Sequence, residues 1–223
     1  NVAAIKARSN LDRVQRDMDN SIARLSSGKR ITRAADDAAG SAIVGRMESQ
    51  IRGLNMSIRN IKDGQSLVNT QEGAMQEITA LLQRMRELAV QAANGSLTEA
   101  DKDYLQLENV NLAREIKAIG LNTKFNDTAV LTGTQFSFYA DIDAAGTAIT
   151  TVTAAMSVTR LDIATATISI GGGETQADIK ETISILDTAI ARVADKRANL
   201  GAVSNRFNHI IDNLTNVVAN TES

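Results

Sequence analysis

Not one residue of the 223 is proline, where ordinary usage of about 5% would supply roughly ten. Proline fixes φ, lacks an amide donor and breaks helix interiors, so this chain is free to run in long uninterrupted helices. The apolar residues agree. Aromatic residues make up only 3% and tryptophan is absent, leaving Ala, Ile, Leu, Val and Met, which suit helix seams better than a core of large rings. The length allows one substantial core or two modest ones. Without cysteine there is no disulfide, thiolate nucleophile or Cys-based metal site. A net charge of -2 argues against a general nucleic-acid binder. No run of 18 or more apolar residues exists, so no membrane insertion is expected, and no cleavable leader is visible. The first residue is Asn1 rather than Met, from which we expect a trimmed or engineered chain.

Four helices are predicted. Residues 1 to about 28 carry Ala4, Ala7, Leu11, Val14, Met18, Ser21 and Leu25 at 3–4 spacing, with Ile5 and Ile22 widening the stripe. Through Arg33 this end holds eight basic residues against three aspartates. A basic amphipathic start suits a transit peptide or a membrane-surface helix, but the interleaved aspartates and regular seam favour a helix that seeks a partner. Ser26-Ser27-Gly28 is the expected stop. The second and longest helix runs to about Ala93, with Asp36 and Asp37 placed as N-terminal caps. One of its seams runs Ile51, Leu54, Ile58, Ile61, Gln65, Val68, Glu72, Met75, Thr79, Leu82, Arg86, Ala89. Another runs Leu67, Gln71, Ala74, Ile78, Leu81, Met85, Leu88, Ala92. Two adjacent stripes mean two neighbours, as in a bundle. Gly45, Gly53, Gly64 and Gly73 each cost about 1 kcal/mol of helix stability relative to Ala, so close helix approach or bending must accompany them.

Asn94-Gly95 turns the chain, and Ser96-Leu97-Thr98-Glu99 has the form of a capping box. A third helix is expected to about Gly120, antiparallel to the second, with Leu105, Leu112, Ile116 and Ile119 on one face. From 121 to about 175 the pattern changes. Phe136, Phe138, Ala140 and Ile142 alternate with polar neighbours, and Val158, Leu161, Ile163, Ile168 and Ile170 also favour strands. Ala144-Ala145-Gly146-Thr147 is a candidate turn, and Gly171-Gly172-Gly173 reads as a flexible joint. The final helix has the strongest pattern. Ile179, Ile183, Leu186, Ile190, Val193, Arg197, Leu200, Ser204, Phe207, Ile211, Leu214 and Val218 keep a 4-3-4-3 rhythm through six heptads, which makes this helix an interface. The fold class is therefore mainly α, an elongated bundle of long coiled-coil-like helices with a small β-hairpin region.

Chemistry is almost missing. His209 is the only histidine, close to the seam residue Phe207 and without a second His or Cys as co-ligand; a seam-edge position explains it better than catalysis. Asp36-Asp37 are better explained as caps than as paired catalytic carboxylates. The triple glycine lacks the Lys-Ser/Thr of a phosphate loop, and neither H-E-x-x-H nor G-x-S-x-G occurs. No enzyme and no cofactor or metal are expected.

Two segments carry a family signature. Ser21-Ile22-Ala23-Arg24-Leu25-Ser26-Ser27-Gly28-Lys29-Arg30-Ile31, followed by Ala34-Ala35-Asp36-Asp37-Ala38-Ala39-Gly40, resembles the N-terminal region of bacterial flagellins. The likeness continues in Gln71-Glu72-Gly73-Ala74, in Leu82-Gln83-Arg84-Met85-Arg86-Glu87-Leu88-Ala89-Val90-Gln91 and in Thr123-Lys124-Phe125-Asn126. Leu200-Gly201-Ala202-Val203-Ser204-Asn205-Arg206-Phe207 is similar to the family's C-terminal motif. Together these cover 1–131 and 176–223.

The resemblance implies a secreted, extracellular subunit of the flagellar filament that self-assembles into a helical polymer for motility. It implies an inner layer formed by residues 1–33, a shell formed by 34–131 and 176–223, and a short β-rich insertion at 121–175 in place of variable outer domains. The seam of the last shell helix would be Ile183, Leu186, Ile190, Val193, Leu200, Phe207, Ile211 and Leu214. Family members continue past Ser223 into a helix that pairs with residues 1–28, so a fragment with an unfilled inner seam is expected. Implied partners are identical subunits, the flagellar export, junction and cap proteins, and the flagellin-sensing Toll-like receptor, with Arg84, Leu88 and Glu108 as contacts. A hook–filament junction protein and a soluble coiled-coil adaptor are the alternatives; the first shares the terminal likeness, the second only the heptads.

Overall fold

The computed structural model describes residues 2–28, 30, 32–33, 37–139, 148–152, 161, 163 and 168–222. Among these the element order is α1 (Val2–Ser27), α2 (Ala38–Ala92), α3 (Glu99–Asn122), β1 (Lys124–Phe125), β2 (Thr128–Ala129), β3 (Gln135–Tyr139), β4 (Ala148–Val152) and α4 (Gln176–Glu222). The protein is a helical bundle with two small antiparallel hairpins. Its contacts divide it into two compact units, residues 1–53 with 221–223, and residues 54–220.

In the first unit, α1 buries none of its residues. Its stripe of Val2, Ile5, Leu11, Val14, Met18, Ile22 and Leu25 is exposed, Leu25 to 90%. Gly28 ends the helix as its composition predicts: at φ 64 it adopts the left-handed conformation, and its N–H reaches Arg24 O. Asp37 caps α2, its Oδ1 accepting from the Gly40 N–H at 2.8 Å. Asp36 lies outside the described residues.

The second unit holds the core. Both stripes of α2 are buried there: Ile61, Val68, Met75, Leu82 and Ala89 on one, Leu67, Gln71, Ile78, Met85, Leu88 and Ala92 on the other. Ala113 and Ile116 of α3 join them, with Ile179, Leu186, Val193, Leu200 and Phe207 of α4. Fully burying such a side chain contributes about 1.5–3 kcal/mol, so these positions dominate stability. Gly64 has a specific role. A Cβ there would meet the Phe138 ring at 3.0 Å, and Phe138 in turn packs edge-on against Phe207, ring centroids 5.8 Å apart. The helix cost of this glycine is offset by a docked aromatic.

Three local expectations are corrected. The capping box of α3 sits two residues later than the Ser96–Glu99 pattern suggests: Thr98 is the N-cap and Asp101 its reciprocal partner. Ser96 instead bonds the Asn94 side chain. The apolar run at 161–170 forms no ladder among its described residues, although Leu161, Ile163, Ile168 and Ile170 are all buried. At residues 168–170 the backbone is met by side chains instead. Asn109 Nδ2 donates to Ile168 O at 2.8 Å, Thr182 Oγ1 donates to Ser169 O, Gln106 Oε1 accepts from Ile170 N, and Asp103 Oδ1 accepts from Gly172 N. Asp103, Gln106 and Asn109 recur at three-residue spacing, which puts them on one face of α3. That also overturns the flexible joint. A Cβ on Gly172 would lie 2.7 Å from Glu99, so this glycine permits a close approach of the chain to α3.

β3 pairs with β4 from Gln135↔Val152 to Tyr139↔Ala148, and the alternation of Phe136 and Phe138 places both half-buried. The candidate turn at 144–147 lies outside the described residues, as does Val158. The β1–β2 hairpin turns on Asn126 and Asp127, both at positive φ, the two-residue geometry these residue types tolerate.

A second capping box opens α4, Thr175 with Asp178. In both boxes the threonine's hydrogen bonds hold the aspartate below its ordinary carboxylate pKa. A lowered folded-state pKa stabilises above the unfolded value of about 3.9 and is lost as pH falls through and below it. Stability should therefore drop on acidification in that range, and Asp101→Asn with Asp178→Asn should flatten the drop, as read by thermal melts at stepped pH.

Candidate functional site: the α2–α4 seam and the Arg84–Glu108 face

From Gln65 onward, every seventh position of one α2 stripe departs from apolar character: Gln65, Glu72, Thr79 and Arg86. Three of these reach α4. Arg86 Nε donates to Asp187 Oδ1 at 2.6 Å, Arg197 holds Glu72 Oε1 through Nη2 at 2.7 Å and Nε at 2.8 Å, and Gln65 Nε2 donates to Asn208 Oδ1 at 2.8 Å. As numbers fall along α2 they rise along α4, so the two helices run antiparallel. Thr79 turns back to its own helix, bonding Met75 O.

Along α4 itself run its seam residues. Leu186, Val193, Leu200 and Phe207 are buried, and Ile183, Ile190, Ile211 and Leu214 are half-buried against the same core. Glu72 and Arg197 belong to the predicted seams. Asp187 and Asn208 do not; each is the next residue after a seam position, Leu186 or Phe207, and the only signal for them was the seven-residue spacing of polar positions on α2. The Asp187 carboxylate raises the Arg86 pKa through its hydrogen bond.

Arg84 faces α3. Its Nε donates to Glu108 Oε1 at 2.9 Å and its Nη1 to Glu87 Oε2 at 3.2 Å. Glu108, then Glu87, push the guanidinium pKa further up. Both side chains of the Arg84–Glu108 pair are about half exposed. Leu88, one turn further along α2, is only 1% exposed and belongs to the core. The structure thus brings Arg84 and Glu108 together at the surface and sets Leu88 beneath them. His209 lies on the exposed side of α4 beside Asn205, Arg206 and Asn213. Among the described residues no group of three or more His, Cys, Asp or Glu is placed to hold a metal, and no helix is long and apolar enough to cross a membrane.

Family comparison decides what this arrangement belongs to. The bacterial flagellin N-terminal helical region matches residues 1–136, and the flagellin C-terminal helical region matches 183–223. The chain belongs to the bacterial flagellin family. It is 37% identical to a flagellin of Halalkalibacterium halodurans over 96% of this chain and 76% of that protein. It is 39% identical to a flagellar filament core protein of Treponema maltophilum over 89% of this chain and 72% of that one. A solved structure, the crystal structure of Bacillus cereus flagellin, is similar with a TM-score of 0.61 at 34% identity, covering 70% of this chain and 88% of the other. As a flagellin, the chain is a structural subunit of the extracellular flagellar filament, a polymer of identical copies.

The Glu72–Arg197 rung is the test of how the flagellin seam is held. Its side chains are 37% and 34% exposed, so screening limits the pair, and a double-mutant cycle of Glu72→Ala and Arg197→Ala should give a coupling of about 0.5–1 kcal/mol in urea titrations. A coupling indistinguishable from zero would show that this rung adds nothing to the stability of the seam.

Proposed function

We propose that this flagellin is a non-enzymatic polymer subunit in which residues 1–33 form the inner layer of the filament, residues 34–131 with 176–223 form the shell, and 121–175 stands where larger outer domains would sit. The observation that carries this reading is the antiparallel zipping of α2 to α4 through buried stripes and polar rungs. It makes a stiff unit with side chains to spare, while α1 keeps an apolar stripe exposed along its length. Contacts between unlike faces of identical copies are heterologous and propagate as an open helix rather than a closed ring. The exposed α1 stripe is also the surface suited to partners that handle the subunit before assembly, the export, junction and cap proteins. Electron cryomicroscopy of the filaments formed after salt-induced assembly should show residues 1–33 lining the axis and α2, α3 and α4 around them. Closed oligomers, or residues 1–33 on the outside, would refute the assignment.

Recognition by the flagellin-sensing Toll-like receptor is the second part of the proposal. Arg84 and Glu108 offer a half-exposed charged pair on adjacent helices, with Leu88 fixing the backbone below. Arg84→Ala and Glu108→Ala, each verified as folded by circular dichroism, should weaken binding of the receptor ectodomain roughly tenfold, as loss of about 1.4 kcal/mol would. Leu88→Ala is expected to act through the core instead, lowering the melting temperature. Unchanged affinity in both charge variants would remove the receptor from the list of partners.

A further inference from the structure

The turn between α2 and α3 contains the chain's only Asn-Gly pair, and its geometry bears directly on the reactivity of that pair. Asn94 Oδ1 accepts two hydrogen bonds from one residue, the Ser96 N–H at 3.1 Å and the Ser96 Oγ–H at 3.0 Å. Among the described residues the Gly95 N–H donates to no acceptor, although the neighbouring Ala93 and Asn94 amides donate to the last turn of α2 and the Leu97 amide to Asn94 O. Asn94, Gly95 and Ser96 are exposed. We propose that Asn94 is a covalent modification site, at which the folded turn promotes conversion of the amide to aspartate and isoaspartate.

The steps balance with water as the sole co-reactant. The Gly95 nitrogen attacks Asn94 Cγ, forming a C–N bond and placing negative charge on Oδ1, while the Gly95 amide proton passes to solvent. The intermediate collapses by breaking the bond from Cγ to the side-chain nitrogen, which takes up a proton from solvent and leaves as ammonia, and a five-membered imide remains. Water then opens the ring at either carbonyl. One opening leaves an ordinary aspartyl residue with the original backbone, and the other routes the main chain through the side chain as isoaspartate.

The two Ser96 donors face the oxygen on which charge develops, as oxyanion-stabilising donors must. The attacking nitrogen gives up no hydrogen bond to another described residue, and glycine puts no Cβ in the way. The product is a new carboxylate just beyond the C-terminal end of α2, where the helix dipole disfavours negative charge, and isoaspartate adds an atom to the backbone of the turn. Ala93 O, which accepts from Gln176 Nε2 at 2.7 Å, lies directly before the altered residue, so the tie between this turn and α4 is the contact most exposed to the change.

The test is timed incubation of the folded protein at mildly alkaline pH, with peptide mapping by mass spectrometry and labelling by an isoaspartyl methyltransferase. The Asn94 peptide should convert ahead of every other asparagine peptide, and faster in the folded protein than in protein unfolded by urea. Gly95→Ala should suppress the reaction. A Cβ at this position meets nothing within 4 Å and the φ is not left-handed, so that variant keeps the turn, which its melting temperature verifies. Ser96→Ala should slow conversion about tenfold, and Ser96→Thr should restore it. Conversion slower in the folded than in the unfolded chain, or a Ser96→Ala rate equal to or above that of the unaltered protein, would overturn the proposal.

Discussion

The C-terminal half of α2 must bury two adjacent apolar stripes, and the rest of the second unit is arranged to let it do so. One stripe faces α4, as the rungs at Gln65, Glu72 and Arg86 show. The other lies in the core that also holds Ala113 and Ile116 of α3. About five side chains per stripe at about 1.5–3 kcal/mol each far exceed the pairs, each on the order of 1 kcal/mol or less at this exposure. Apolar burial therefore supplies the stability and the polar rungs supply the alignment.

Much of this was legible from spacing alone. The helices of 1 to about 28, of the second run to about Ala93 and of the third to about Gly120 follow from periodicity and the absence of proline, and these ends fall within two residues of the observed ones. Periodicity is a one-dimensional signal and works where one face of one helix decides the outcome. It fails where satisfaction of the backbone comes from a distant side chain. Residues 161–170 have strand-like composition, but at 168–170 Gln106, Asn109 and Thr182 take up the hydrogen bonds a neighbouring strand would have made. Nothing in the local pattern distinguishes the two cases.

The site was legible unevenly for the same reason. Arg84, Leu88 and Glu108 were named by family resemblance, which carries identity but not exposure, and the structure separates a surface ion pair from a core leucine. The glycines divide similarly. Gly64 and Gly172 are explained by what sits against them, Phe138 and Glu99, whereas Gly45 and Gly73 have nothing within 4 Å of a built Cβ, and no packing reason for them is evident. Capping was misplaced by two residues because Ser96 and Thr98 are chemically equivalent candidates; the neighbouring Asn94, by engaging Ser96, leaves the role to Thr98.

A plain heptad seam is degenerate, because sliding one helix past the other by seven residues restores the same apolar contacts. The rungs remove that freedom. Along α2 the order is amide, anion, cation, and along α4 the facing order is amide, cation, anion. A slide that carried Arg197 toward Arg86 would confront two guanidiniums with no carboxylate between them. The sign alternation works as a vernier with a single null, so a long rod of small aliphatic residues still has only one way to close.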